Sequence, residues 1–312
     1  MTSTLAIGNY KPGDRAALSD AFDAHVIPGP DAIRALDETL RKGFTAVAYA
    51  GGQPFGAAEM ELLSNLGVIA NYGVGYDAID VDAAAARGIR VTNTPDVLND
   101  DVADLAIAMW LMQGREMRAA EAHVRSGDWA AKGPVPLNRK LSGGTAGIMG
   151  LGRIGRDIAH RLAAFKMDIH YFARSEKDTP DWTYHDDPVA LARAVDYLFV
   201  ALVGGPETEK FVSRDVIAAL GTNGVVINIS RGSVIDEAAL LDALESGTIA
   251  GAGLDVFVGE PDVDPRFLNL QNVVLQPHQG SATVQTRAAM AKLQRDNIAA
   301  FLKGEDLLTP VV

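Results

Sequence analysis

Gly150-Leu151-Gly152-Arg153-Ile154-Gly155 reads G-x-G-x-x-G, and its setting decides the fold more than its letters do. The apolar run Ala146-Gly147-Ile148-Met149 precedes it. From Arg156 to Phe165 the chain takes helical spacing, with Ile154, Ile158, Leu162 and Phe165 on one stripe. Strand, glycine turn and helix are the context that a dinucleotide site requires. The first glycine permits a tight turn, the second lets backbone approach a pyrophosphate, and the third lets helix and strand pack closely. N–H groups opening the helix, those of Arg153 and Ile154 among them, then face the phosphates. Glycine is common here, 31 of 312 residues, so the letters alone say little; flanked by strand and helix they mark a nucleotide site.

About 20 positions past such a turn, the end of the second strand selects the dinucleotide. Here that strand reads Asp168-Ile169-His170-Tyr171-Phe172-Ala173, and Arg174-Ser175 follow. A carboxylate at the strand end would bond the ribose hydroxyls and repel a 2′-phosphate; Ala173 removes that repulsion. The Arg174 guanidinium can grip a phosphate bidentately, and the Ser175 hydroxyl adds a donor. Lys177 adds positive charge, and Glu176 is the one discordant charge. A solvated charged loop is the plain alternative. The combination favours NADP(H) over NAD(H), with NAD(H) as a second choice.

Composition bounds the rest. A chain of 312 residues suggests two domains. A hydrophobic fraction of 48% and a mean hydropathy of +0.07 suit a soluble globular protein with a sizeable core. No apolar run approaches the length of a bilayer span. The opening Met1-Thr2-Ser3-Thr4-Leu5-Ala6-Ile7-Gly8 lacks the basic region and long apolar core of a signal peptide, so a cytoplasmic location is expected. The absence of cysteine excludes disulfides, thiol catalysis and cysteine-ligated metal; no metal is expected. A net charge of −12 argues against nucleic acid and anionic membrane as partners. It also opposes anionic substrates at long range, so any anion site must carry its own local positive charge.

Strand-like runs alternate with helical ones along the whole chain, which predicts an α/β protein with parallel sheets. In the first part the strands fall at Leu5–Gly8, Ala46–Ala50, Val68–Tyr72 and Ile89–Asn93, with a short one near His25–Ile27. From Thr145 they fall at 145–149, 168–173, 197–202, 225–229, 251–256 and 272–276, six strands in a Rossmann arrangement. A long helix is predicted over Asp100–Arg118, apolar around more of its circumference than one core needs, and a last helix over Val284–Leu302. The first either crosses between domains or packs on another subunit.

Three further segments each end a predicted strand with an ionisable residue. Ile227-Asn228-Ile229-Ser230 leads into Arg231, Leu254-Asp255-Val256-Phe257 leads to Glu260, and Val274-Leu275-Gln276-Pro277 leads into His278. In an open parallel sheet the ligand crevice lies at the carboxyl ends of the strands, so all three point to the edge that carries Gly150–Gly155. Together they suit hydride transfer to a keto acid. Histidine can protonate a developing alkoxide, a carboxylate on its other nitrogen fixes the tautomer, and an arginine fork binds the substrate carboxylate. Taken singly, His278 reads as a hydrogen-bonded structural residue, Arg231 as a surface salt bridge and Glu260 as part of a turn before Pro261. The other histidines, at 25, 123, 160, 170 and 185, have no comparable setting.

These residues bring out a resemblance to the D-isomer-specific 2-hydroxyacid dehydrogenases. It runs from Gly73-Val74-Gly75-Tyr76-Asp77 to the end of the chain, through Val91–Pro95, Gly150–Gly155, Asn228–Asp236, Gly253–Phe257 and Gln276–Gly280. The resemblance implies that Arg231, Glu260 and His278 are catalytic and that Val74 and Gly75 form a backbone loop for the substrate carboxylate. Arg231 and His278 also touch the substrate. Pro206, Ile229, Asp255 and Gly280 join the cofactor residues, Asp255 at the nicotinamide amide. Within the family the chain is most similar to glyoxylate/hydroxypyruvate reductases, including the hydroxyphenylpyruvate type, on Ala173-Arg174-Ser175 and Leu307–Val312. Glu260 stands where formate dehydrogenases usually carry Gln.

The family implies two Rossmann-like domains, the first a smaller flavodoxin-like substrate domain of residues 1–98 plus 285–312. The second, 99–284, binds the dinucleotide, and a homodimer forms through the Asp100–Arg118 region. The expected reaction is NADPH-dependent reduction of glyoxylate, hydroxypyruvate or an arylpyruvate to the D-2-hydroxy acid. Oxidation of a D-2-hydroxy acid or phosphite, or a non-catalytic dinucleotide-sensing scaffold, are the alternatives. The intact Arg/Glu/His set disfavours the scaffold.

Overall fold

Every ladder between named strands runs parallel in this computed structural model, which describes residues 3–312. The first two residues of the domain expected to start at Met1 thus lie outside the described residues. Short strands buried on both faces read as near-continuous apolar runs, as Val225–Asn228 and Tyr197–Val200 do. The chain divides into two units: Met1–Leu98 with Thr283–Val312, and Asn99–Ala282. No helix among the described residues is long and apolar enough to cross a membrane.

The first unit holds β1 (Thr4–Gly8), β2 (His25–Ile27), β3 (Ala46–Ala50), β4 (Val68–Asn71) and β5 (Arg90–Thr92), in the order β2-β1-β3-β4-β5. This is the flavodoxin-like order, whose direction of winding reverses between β1 and β3. The two-residue period of each strand sorts its side chains. Leu5, Ile7, Val47, Tyr49, Ile69 and Val91 fill one face, while Ala6, Ala46, Ala48, Val68 and Ala70 pave the other with small groups. The helix Val284–Lys303 lies on that alanine face, burying Ile298. Its Gln294 Nε2 donates to the carbonyls of Tyr49 (3.1 Å) and Ala70 (2.8 Å), a satisfied buried amide that fixes the helix over β3 and β4.

The second unit holds β6 (Thr145–Met149), β7 (Asp168–Phe172), β8 (Thr183–His185), β9 (Tyr197–Val200), β10 (Val225–Asn228), β11 (Gly251–Leu254) and β12 (Val273–Leu275). Their order is β12-β11-β10-β9-β6-β7-β8, a Rossmann sheet that reverses between β6 and β9. It has seven strands where the sequence predicts six. The extra one, Thr183-Tyr184-His185, is a three-residue edge strand with no apolar run to announce it. Ile148, Tyr197, Phe199 and Ile227 face one core and Met149, Leu198, Val200 and Val226 the other.

The helix expected over Asp100–Arg118 is instead two. The first, Asn99–Gly114, buries Val102, Ala103, Ala106, Ile107, Met109 and Trp110. Trp110 meets Phe165 and Tyr197 edge-on, at 5.2 and 5.6 Å between ring centroids. Its apolar girth is therefore used inside its own unit. Glu116 then turns left-handed (φ 45°) and a second helix runs Met117–Arg125. The apolar residues left exposed come later, at Met117, Val124, Trp129, Val135 and Leu137.

Candidate active site

Each glycine of the turn after β6 has a distinct physical reason. Gly150 takes φ +100°, and a Cβ there would stand 2.8 Å from the Ala201 carbonyl oxygen. A Cβ on Gly155 would stand 2.1 Å from the Gly150 carbonyl oxygen, so the Arg153–Ala164 helix sits too close to β6 for any side chain. At Gly152 nothing lies within 4 Å of a Cβ. That open flank, beside the first-turn N–H groups of a helix with no side-chain cap, fits a pyrophosphate. The nicotinamide dinucleotide therefore suits the residues present. Arg153 is exposed at the helix start, and Ile154 packs on the core behind it.

At the end of β7, Ala173 is partly buried, and Arg174, Ser175 and Lys177 are exposed. Lys177 Nζ donates to Ser175 Oγ at 3.2 Å. The Tyr171 hydroxyl accepts from Lys177 N–H (2.9 Å) and donates to its carbonyl (3.1 Å), closing a loop over residues 172–176. Pro206 opens a single helical turn beyond β9, Ile229 follows β10, and Gly280 is buried behind β12. All lie on the carboxyl edge of the same sheet.

Arg231, Glu260 and His278 follow β10, β11 and β12, three adjacent strands. His278 Nδ1 stands 2.7 Å from Glu260 Oε2, and Glu260 Oε1 accepts the Phe257 N–H at 2.8 Å. Burial works against ionisation of Glu260. The bonds from His278 and Phe257, with the charges of His278 and Arg231, outweigh it and hold the carboxyl below its ordinary range. With Nδ1 engaged, His278 presents Nε2 as the free ring nitrogen. Its backbone is in the left-handed region (φ 50°), a conformation rare for a residue with a Cβ and frequent at functional sites.

Several supporting residues have no signature in the sequence. Asn228 Nδ2 donates to the Arg231 carbonyl (3.0 Å) while its Oδ1 accepts the Ser230 N–H (3.0 Å), so one amide shapes the turn that presents Arg231. Ser230 Oγ donates to the Leu202 carbonyl. Glu237 accepts the Val258 N–H at 2.8 Å; burial, with Asp264 and Glu260 nearby, raises its carboxyl above the ordinary range despite that bond. Gly232 lets two loops meet, since a Cβ there would stand 2.0 Å from the Phe257 carbonyl carbon. Asp255 is buried and accepts the N–H groups of Gln279 (2.7 Å) and Gly280 (2.8 Å). It thus holds the loop that carries His278, and burial raises its carboxyl against those two bonds.

In the first unit, Val74 and Gly75 follow β4. Asn71 Nδ2 donates to the carbonyls of Gly73 (3.1 Å) and Gly75 (2.9 Å), and Asn93 Nδ2 to that of Val74 (2.9 Å). The carbonyls are thereby turned inward. The N–H groups of Val74 and Gly75 have no backbone or side-chain acceptor among the described residues.

Residues 107–280 match a family model described as the NAD-binding domain of D-isomer specific 2-hydroxyacid dehydrogenases. The chain is 41% identical to 2-ketogluconate reductase of Gluconobacter oxydans over 99% of its length and 98% of that protein's. It is 47% identical to hydroxyphenylpyruvate reductase of Plectranthus scutellarioides over 85% of each. A solved structure of an NADPH-dependent glyoxylate/hydroxypyruvate reductase from Sinorhizobium meliloti, in complex with NADP and malonate, matches with a TM-score of 0.94. It is 44% identical, and the match covers 100% of this chain and 97% of that one.

Proposed function

Since this chain belongs to the D-isomer-specific 2-hydroxyacid dehydrogenases, a family of nicotinamide-dependent oxidoreductases, we propose that it reduces a 2-keto acid to the D-2-hydroxy acid with NADPH. The observation that carries the reading is the 2.7 Å bond between His278 and Glu260 at the strand ends beside Arg231. A bound nicotinamide supplies the hydride; the chain supplies orientation, charge and a proton. The Arg231 fork pairs with the substrate carboxylate and polarises the carbonyl. Val74 and Gly75 offer two amide N–H groups to a carboxylate. His278 Nε2 delivers the proton to the developing alkoxide, and the Glu260 carboxylate favours the imidazolium that carries it.

Gly150, Gly152, Arg153, Ile154 and Gly155 line the pyrophosphate, and Arg174 with Ser175 receives the 2′-phosphate. Pro206, Ile229, Asp255 and Gly280 border the rest of the cofactor. The supports for NADPH are the missing strand-end carboxylate and the solved relative complexed with NADP. The enzyme acts as a homodimer whose interface uses the exposed Met117, Val124 and Trp129 rather than the buried face of the preceding helix.

The test is a panel of 2-keto acids with NADPH or NADH, read by nicotinamide absorbance, with chiral analysis of the product. Reduction of none of them, or an L-hydroxy acid as product, overturns the reading.

A further inference from the structure

The first unit contains a crevice that the proposed chemistry does not use. It has a volume of about 290 Å³ and lies at the carboxyl ends of β1, β2 and β3. The sheet order places it at the winding reversal between β1 and β3, where open α/β sheets take ligands.

Its walls are specific in chemistry. No lining residue carries a charge. Tyr49 is its one aromatic residue and is 1% exposed, leaving no ring face to stack on. What the walls offer is amides. The side chains of Asn9 and Gln53 have no hydrogen-bond partner among the described residues. The Gln53 amide reaches the loop after β2: its Oε1 stands 2.1 Å from where a Cβ on Gly29 would sit, with Asp31 Oδ1 2.9 Å from the same point. The Tyr49 hydroxyl donates to the Gln53 carbonyl and ties down its main chain. At Gly52 nothing lies within 4 Å of a Cβ, which leaves the mouth open.

Position gives the crevice a role. The Val74–Gly75 loop follows β4, next to β3, with β1 beyond. The crevice therefore starts one to two strand spacings from that loop, about 5–10 Å. An acid whose carboxylate sits on the Val74 and Gly75 amides can lay its tail along the strand ends into the crevice. Neutral amides and bare backbone pair with hydroxyls; they offer nothing to an aryl ring and no counter-ion to a charged tail.

We propose that the crevice between the β1 and β3 ends, walled by Asn9, Gly29, Gly52 and Gln53, binds the hydroxyl-bearing tail of an extended 2-keto sugar acid and sets chain-length preference. The inference rests on the reductase reading above and names its substrate class.

The experiment compares kcat/KM for glyoxylate, 4-hydroxyphenylpyruvate and 2-keto-D-gluconate in the parent enzyme and in Gln53→Leu, Asn9→Ala and Gly52→Leu. The parent should favour 2-keto-D-gluconate over 4-hydroxyphenylpyruvate. Gln53→Leu keeps the shape and removes the amide, so 2-keto-D-gluconate should fall about tenfold. Gly52→Leu fills open space at the mouth and should do the same or more. Glyoxylate has no tail and should stay within about twofold in all three variants. Glyoxylate turnover by a parent that refuses 2-keto-D-gluconate overturns this inference and leaves the reductase reading standing. So does an equal fall for both substrates in the variants. Reduction of no keto acid at all overturns both.

Discussion

The imidazole of His278 and the carboxylate of Glu260 face each other at 2.7 Å through Nδ1 and Oε2, across two adjacent strand ends. Glu260 is held below the ordinary carboxylate range, so it stays ionised throughout the neutral region and loses its charge only in more acid solution. While ionised it favours the imidazolium. Glu260→Gln removes that preference, so the acid form of the pair should survive over a narrower range. The alkaline limb of kcat/KM against pH should therefore move to lower pH. An unmoved limb, or one moved upward, breaks the assignment. His278→Asn should lose roughly a hundredfold or more in kcat with cofactor affinity unchanged, checked by titrating NADPH against protein fluorescence.

Arg231 is presented by a turn that the Asn228 amide shapes from both sides. Arg231→Lys keeps the charge and loses the planar fork. The expected loss is roughly ten- to a hundredfold in kcat/KM for every accepted keto acid. Near-parental values across the panel would remove Arg231 from the substrate.

Arg174 is exposed beside Ser175, where the strand has no terminal carboxylate. Arg174→Ala should weaken NADPH by on the order of 1.5–3 kcal/mol, the value of charged hydrogen bonds, and leave NADH nearly unchanged. Isothermal titration of both cofactors decides it; equal losses for the two contradict a contact to the 2′-phosphate.

Gly232 is the point where the Arg231 loop touches the loop carrying Glu260. Adding one methyl there must displace backbone rather than a side chain. Gly232→Ala should destabilise the fold by about 1–3 kcal/mol and depress kcat beyond what stability explains. Urea midpoints and single-turnover rates measure the two effects. Retention of both would mean that the loops tolerate separation.

The features legible in the sequence are those that backbone sterics write into single letters or short periods. Gly150 and Gly155 are glycine because a Cβ would strike backbone oxygen, so the turn reads directly. β6, β9 and β10 read as apolar runs because both faces are buried. β8 escapes because three residues at a sheet edge carry no run and no period. The break after Gly114 escapes because that glycine is the one local signal for it, and the residue that enters the left-handed region, Glu116, is neither glycine nor proline. Glu237 acts through a bond to the main chain of Val258, and Asp255 holds the His278 loop through Gln279 and Gly280, far along the chain from each; no local pattern records such bonds. The crevice at Asn9 and Gln53 depends on three loops meeting, and a linear reading has no access to that meeting.

The Tyr171 hydroxyl, bonded twice to the main chain of Lys177, has a thermodynamic consequence. A surface segment that must order itself around a ligand surrenders backbone freedom on binding, about 1–2 kcal/mol for each residue fixed. Here the phenol, rooted in β7, ties down the far end of the segment holding Arg174 and Ser175 before any ligand arrives. That entropy loss is thus incurred during folding, and preorganisation leaves more of the phosphate's attraction available as affinity. Tyr171, a buried residue facing the core, is in this way coupled to the loop proposed above to receive the 2′-phosphate.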